Sequence, residues 1–139
     1  MSDSEHLNAF LKCMGERDVT GAIAHLSDGI IIRSPIFSTP FEGKADATKV
    51  LTHLLQTLDS FEPKLLLRDG ADVVAIFTAK CGEHVIDGMD HLHLGPTGLI
   101  DSMTVAWRPL TAVVAVQQLL APKLGEKAMQ LVPINSPVA

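Results

Sequence analysis

Apolar residues recur along this chain with the two spacings that are typical of helices and of strands. Helical spacing predicts four helices: 5–14 with Ser4 as its cap, 19–26 with Asp18 as its cap, 45–58, and 110–120. The third of these helices is predicted from an apolar stripe on one side, formed by Val50, Leu51, Leu54, Leu55 and Leu58.

Strand-like segments occupy most of the remaining chain, and turn residues separate them. They are predicted over 29–34, 64–68, 73–81, 84–94 and 99–108, with a loop over 35–43. Four of the five strands follow one another late in the chain and are mostly joined by short hairpin turns. This order predicts an α+β fold in which a curved, mostly antiparallel sheet wraps around helices and leaves an apolar cavity.

Length and composition narrow the possible classes of protein. A chain of 139 residues with 47% hydrophobic and 19% charged residues predicts one globular domain, 1–139, with a core over about 5–121 and a tail over 122–139. A formal net charge of −5 argues against a nucleic-acid partner. A polar start, the lack of a run of about 20 apolar residues and only two cysteines favour a cytoplasmic protein without membrane contact.

The candidate for chemistry is Asp90, within the segment IDGMDHLHLGPTGLIDSMTVAWR. Side chains alternate along a strand, so Asp90 shares a face with Gly88, Leu92 and Leu94. A carboxylate on an apolar face is costly to bury unless it is paired, hydrogen-bonded or neutralised. We therefore expect the Asp90 side chain to reach a cavity and its pKa to be raised. The alternative is that Asp90 is a structural carboxylate held by backbone amides or water.

The opposite face of the same strand carries Asp87, Met89, His91 and His93. A His-x-His pair with a nearby carboxylate can bind a divalent metal, but an outward face in water or at a dimer seam explains the same residues. We assign no metal and no cofactor.

Three stretches together resemble the nuclear transport factor 2-like superfamily, in its SnoaL-like and ketosteroid isomerase-like branch. They are FLKCMGERDVTGAIAHLSDGIIIRSP, FEGKADATKVLTHLL and GMDHLHLGPTGLIDSMTVAWRP. The resemblance implies a cone-shaped half-barrel with a pocket in its mouth, often dimeric through the sheet.

The resemblance also implies roles for individual residues. Asp90 matches the pocket aspartate of ketosteroid isomerases, but the positions of their tyrosine and their general base fall on Phe10 and Ser34. Phe10 cannot donate a hydrogen bond, and Ser34 is a poor base near neutral pH without a partner, which argues against steroid isomerisation by that mechanism. SnoaL-like cyclases are thought to need a single pocket carboxylate as the acid or base, which Asp90 can supply.

The sequence thus predicts an apolar pocket for a small hydrophobic carbonyl or cyclic compound, with an acid–base isomerase or cyclase as one interpretation. A non-catalytic ligand-binding or dimeric interaction module is the alternative. Asp90 is the candidate catalytic residue, and a homodimer through the outer face, near Met89, His91, Thr104 and Ala106, is expected. The candidate ligand-binding residues, for which plain core packing is the alternative, are Phe10, Ser34, Phe77, Leu92, Met103, Val105 and Trp107.

Overall fold

A computed structural model describes residues 2–134 and has the predicted α+β architecture. Its helices are α1 (Asp3–Gly15), α2 (Val19–Ile23), α3 (Gly43–Thr57) and α4 (Leu110–Leu120), and a short 3-10 turn follows over Ala121–Leu124. The strands are β1 (Leu26–Arg33), β2 (Phe41–Glu42), β3 (Ser60–Asp69), β4 (Asp72–Cys81), β5 (His84–Leu94) and β6 (Ile100–Arg108).

The six strands form one curved open sheet in the order β2-β1-β6-β5-β4-β3. All neighbours are antiparallel except β1 and β6, which are parallel. The predicted stripe of α3 packs against the concave side, where Val50, Leu51 and Leu55 are buried and the helix contacts β1. The predicted mostly antiparallel, curved sheet is therefore confirmed.

The early part of the chain differs from its prediction at several boundaries. Ser2, not Ser4, caps α1, because its Oγ accepts a hydrogen bond from the backbone N–H of Glu5 at 3.2 Å. Helix α2 ends at Ile23 and β1 begins at Leu26, so the predicted turn at Asp28-Gly29 is instead an irregularity within the strand. Both residues are exposed there, and the Asp-Gly pair predicted a turn because it is common in turns.

Two further segments contain more strand than was predicted. The predicted loop 35–43 contains β2, which adds two residues to the sheet beside β1. Strand β3 begins at Ser60 and runs through Pro63, although proline cannot donate to a ladder. The strand tolerates it because β3 lies at the edge of the sheet and shifts register between Pro63 and Leu65.

The described part of the tail packs on α4. The buried Gln117 side chain donates to the carbonyl of Lys127 at 2.8 Å and accepts from the N–H of Met129 at 2.7 Å. The rest of the predicted tail, with Pro137, lies outside the described residues. None of the helices within 2–134 is long and apolar enough to cross a membrane.

Candidate active site

Strand β5 places Asp90 on the concave side of the sheet. Buried and exposed residues alternate along β5, and Gly88, Asp90 and Leu92 are buried while Met89 and His91 are exposed. The predicted division of this strand into two faces is confirmed. The Asp90 side chain is therefore held among apolar groups by the same alternation that builds the core.

Asp90 opens into a small apolar cavity between the sheet, three helices and the loop after β1. The cavity offers about 40 Å³ to the centres of water-sized molecules, which is room for about three waters at the ~10–15 Å³ that each one needs. Residues from helices, from the sheet and from the loop line the cavity. They are Met14, Ile32, Ser34, Pro35, Ile36, Phe37, Val50, Leu51, Leu54, Phe61, Phe77, Asp90, Met103, Val105, Trp107 and Leu120.

Burial governs the protonation of Asp90. The residue is only 3% exposed, and its Oδ1 atom has no hydrogen-bond partner within residues 2–134. Loss of hydration penalises the charged form, and this raises the pKa of Asp90 from 3.8 to about 7. Near neutral pH the carboxyl is therefore present both as an acid and as a base.

Trp107 also lines the cavity and carries a second buried polar atom without a partner. Its indole Nε1 is buried and finds no acceptor in the described chain. Trp107 is paired with Gly88 across the β5–β6 ladder, and Val105 is paired with Asp90, so both residues of β6 face the same side as the carboxyl. Two residues that line the cavity, Asp90 and Trp107, thus each have a buried polar atom without a partner in the described chain.

Ser34 lines the cavity but its oxygen is already engaged. Ser34 Oγ accepts hydrogen bonds from the backbone N–H of Ile36 at 2.9 Å and of Phe37 at 2.8 Å. These bonds shape the loop that closes the cavity, and they make the residue a strand-end cap. Ser34 is not arranged as a general base.

Gly88 gives the aromatic wall its shape. The ring of Phe77 fills the space that a Cβ at Gly88 would occupy. Phe61 stacks on Phe77 with ring centroids 4.5 Å apart. The lack of a side chain at Gly88 therefore allows Phe77 to lie flat against β5, next to Asp90.

The loop after β1 separates the cavity from a wider, more polar groove outside. Ile36 and Phe37 line both spaces. The outer groove offers about 470 Å³ to the centres of water-sized molecules and is bordered by Lys49 of α3 and by Met129 of the tail. Ile36 and Phe37 therefore form a wall that the cavity and the groove share.

Most of the candidate residues come together, and two do not. Asp90, Ser34, Phe77, Met103, Val105 and Trp107 all line the cavity. Phe10 and Leu92 are fully buried in the core and are not part of its lining. The loop residues Ile36 and Phe37 were not among the sequence candidates, because no periodic pattern marks them.

The histidines of the outer face bind a carboxylate that the sequence did not suggest. His91 Nε2 lies 2.9 Å and His93 Nδ1 lies 3.0 Å from Asp72 Oδ1, whereas Asp87 pairs with Arg108 at 2.7 Å. The hydrogen bond with Asp72 raises the pKa of His93. Among residues 2–134 no group of three or more such side chains is placed to hold a metal ion.

A family model and several solved structures are similar to this chain. The family model of the limonene-1,2-epoxide hydrolase catalytic domain matches residues 1–118. A comparison with curated proteins found no match. A steroid delta-isomerase from Pseudomonas aeruginosa is 25% identical, with a TM-score of 0.81 over 88% of this chain and 91% of that chain.

Two more solved structures share the fold. A protein with a cystatin-like fold from Silicibacter pomeroyi DSS-3 is 22% identical, with a TM-score of 0.82 over 86% of this chain and 85% of that one. The second structure is SalBIII, described as an epoxide hydrolase/cyclase-like enzyme in pyran ring formation in the polyether salinomycin. It is 22% identical, with a TM-score of 0.67 over 79% of this chain and 92% of that chain. The nuclear transport factor 2-like resemblance seen in the sequence is thereby confirmed.

Proposed function

This chain belongs to the limonene-1,2-epoxide hydrolase catalytic domain family, and we propose that it is an acid–base catalyst of an intramolecular reaction. The reaction is an isomerisation or a cyclisation of a small apolar compound that carries a carbonyl or an epoxide oxygen. Asp90 transfers the proton.

The observation that carries this proposal is the state of Asp90. Among residues 2–134 it is the one ionisable side chain that lines the cavity, and its pKa of about 7 keeps acid and base forms available at neutral pH. A general acid or base works best when its pKa lies near the operating pH. A merely structural carboxylate is normally satisfied by hydrogen bonds, and Oδ1 of Asp90 has none in the described chain.

The apolar lining favours an intramolecular reaction over hydrolysis. An ordered water needs two to four polar partners, and the described side chains around the cavity offer only Asp90, Trp107 and the already bonded Ser34. A substrate that brings its own hydroxyl group, or its own acidic carbon, does not depend on such a water. The lining therefore favours cyclase or isomerase chemistry within an epoxide hydrolase family.

Both reactions balance with one carboxyl group. In isomerisation, ionised Asp90 removes a proton from the carbon next to a carbonyl, the enolate forms, and the proton returns to another carbon. In cyclisation, a substrate hydroxyl gives its proton to Asp90 while its oxygen attacks an epoxide carbon. The epoxide C–O bond breaks, and its oxygen takes a proton from Asp90. Either cycle leaves Asp90 as it began.

The size of the cavity argues against a steroid substrate. Room for about three waters suits a small compound rather than a steroid. The positions of the steroid isomerase base and tyrosine hold Ser34 and Phe10, and Phe10 does not line the cavity. The likeness to a steroid isomerase therefore supports a related fold rather than the same substrate.

The test uses two small probes and one matched pair of variants. Ring closure of 4,5-epoxypentan-1-ol and deuterium exchange next to the carbonyl of cyclopentanone are followed by NMR. We expect wild-type protein to accelerate at least one of them and Asp90→Asn to lower that rate by ~10²-fold or more. Asp87→Asn, on the exposed face of the same strand, is the control. Saturable binding of both probes without any acceleration would instead support a non-catalytic binding module.

A further inference from the structure

We propose that the indole N–H of Trp107 is a catalytic contact that donates a hydrogen bond to the substrate oxygen while Asp90 faces the proton to be removed. This inference rests on the proposed function and deepens it, because it fixes how the substrate lies. It assigns the two ends of the substrate to two named atoms.

The register of the ladder places the two groups on one face. Asp90 lies opposite Val105 and Gly88 lies opposite Trp107, so Trp107 is the diagonal neighbour of Asp90. Diagonal neighbours on one face of an antiparallel pair are about 7–8 Å apart at their backbones, within reach of long side chains. Gly88 has no side chain, so the ring of Phe77 from β4, and no residue of β5, fills the space between these two positions of β5 and β6.

The indole of Trp107 has a hydrogen-bond donor without an acceptor, and the carboxyl of Asp90 has an acceptor without a donor, yet the two do not bond to each other. Trp107 Nε1 can only donate and Asp90 Oδ1 can accept, and both are buried without a partner within residues 2–134. Buried polar groups in native proteins are nearly always hydrogen-bonded, and an exception requires an explanation. A molecule between them, with an acceptor oxygen at one end and a transferable proton at the other, would satisfy both.

This arrangement defines the class of substrate and the direction of proton transfer. An oxygen bound to Trp107 gains negative charge as an enolate forms or as an epoxide opens. A fixed donor in an apolar cavity stabilises that charge more strongly than water does. The proton that leaves the substrate then comes from a C–H or O–H that faces Asp90, which therefore starts the reaction as a base.

The alternative is that Trp107 only fills space, in which case its N–H group would not affect ligand binding. Trp107 is half-buried and lines the same cavity as Phe77 and Val105, so a ring without an N–H would pack there equally well. A test must therefore separate the N–H from the ring.

The chain has one tryptophan, so its indole N–H gives a single NMR resonance that reports on this site alone. We would titrate the full, nitrogen-labelled chain with cyclopentanone and with methylenecyclopentane, which has a similar shape but no oxygen. The proposal requires a downfield shift with the ketone that the alkene does not reproduce. Equal shifts with both, or no shift up to the solubility limit of the ketone, would overturn it.

Affinity gives the second readout. Trp107→Phe should weaken cyclopentanone binding ~10-fold, the value of one hydrogen bond, and leave methylenecyclopentane binding unchanged. If this variant melts below the assay temperature, benzothienylalanine at the same position keeps the shape of the indole and removes only the N–H. An unchanged ketone affinity in a folded variant would contradict the proposal.

The two proposals fail in different ways. An indole shift with the ketone, combined with no acceleration of exchange or ring closure, would refute the catalytic role of Asp90 and keep the hydrogen bond of Trp107. Acceleration that is lost in Asp90→Asn, with an indole that does not respond to the ketone, would do the reverse.

Discussion

Replacing Asp90 by asparagine should change how the stability of the protein depends on pH. Asparagine keeps the shape of the side chain and does not titrate. In the wild-type chain, burial raises the pKa of Asp90 to about 7 from 3.8, so the folded state holds a proton that the unfolded state releases. The unfolded chain binds fewer protons between these values, and the free energy of unfolding therefore falls as pH rises through that window.

The size of the effect follows from the pKa difference. Each pH unit between the two pKa values removes about 1.36 kcal/mol, so the whole window corresponds to roughly 4 kcal/mol. An assay from about pH 5 to about pH 8 covers two of those units below the folded pKa and should reveal roughly 3 kcal/mol. With a urea dependence of ~2 kcal/mol per molar, the midpoint would move by about 1.5 M.

Urea unfolding of wild type and Asp90→Asn at both pH values measures this directly. Subtracting the unfolding free energy of one protein from that of the other cancels the titration of every other group. One protein concentration is used throughout, because association would add to stability. Asp87→Asn serves as the control for losing a carboxylate on the exposed face. A difference between wild type and Asp90→Asn that does not change with pH would show that the carboxyl is not held in its neutral form.

Three further predictions concern shape and association. Gly88→Ala should collide with the ring of Phe77, lower stability by about 1–3 kcal/mol in thermal unfolding, and abolish cyclopentanone binding. Phe37→Ala should open the wall between the cavity and the outer groove, so that larger cyclic ketones compete for the site. We also propose a homodimer through the exposed face of β5, so Met89→Asp should halve the mass by light scattering; a monomeric wild-type protein would refute this.

The sequence was most informative where one period runs without interruption. Strand β5 and helix α4 have their predicted bounds, because strict alternation and a continuous apolar run leave little room for another interpretation. The same alternation is sufficient to predict that Asp90 lies on the buried face of β5. A polar residue in a regular apolar pattern was therefore the strongest signal of the site.

The rest depended on contacts that no local pattern encodes. Ile36 and Phe37 close the cavity because the hydroxyl of Ser34 folds their loop inward, which is a property of three-dimensional hydrogen bonding. Phe10 was expected in the pocket from the family resemblance, but α1 buries it completely in the core. Strand β2 is only two residues long and is defined by its pairing with β1 rather than by its own composition.

The chemistry of this cavity is limited by how few polar atoms it contains. A single carboxyl cannot serve as a separate acid and a separate base, so only reactions that return it to its starting protonation state can turn over without help from solvent. Isomerisation and ring closure meet that condition, and the N–H of Trp107 would stabilise the oxygen that becomes negative in both. The activity should therefore require ionised Asp90 and rise with pH to a plateau above about 7. A rate that instead falls across that range would mean that Asp90 acts first as an acid, and the substrate would then lie the other way round.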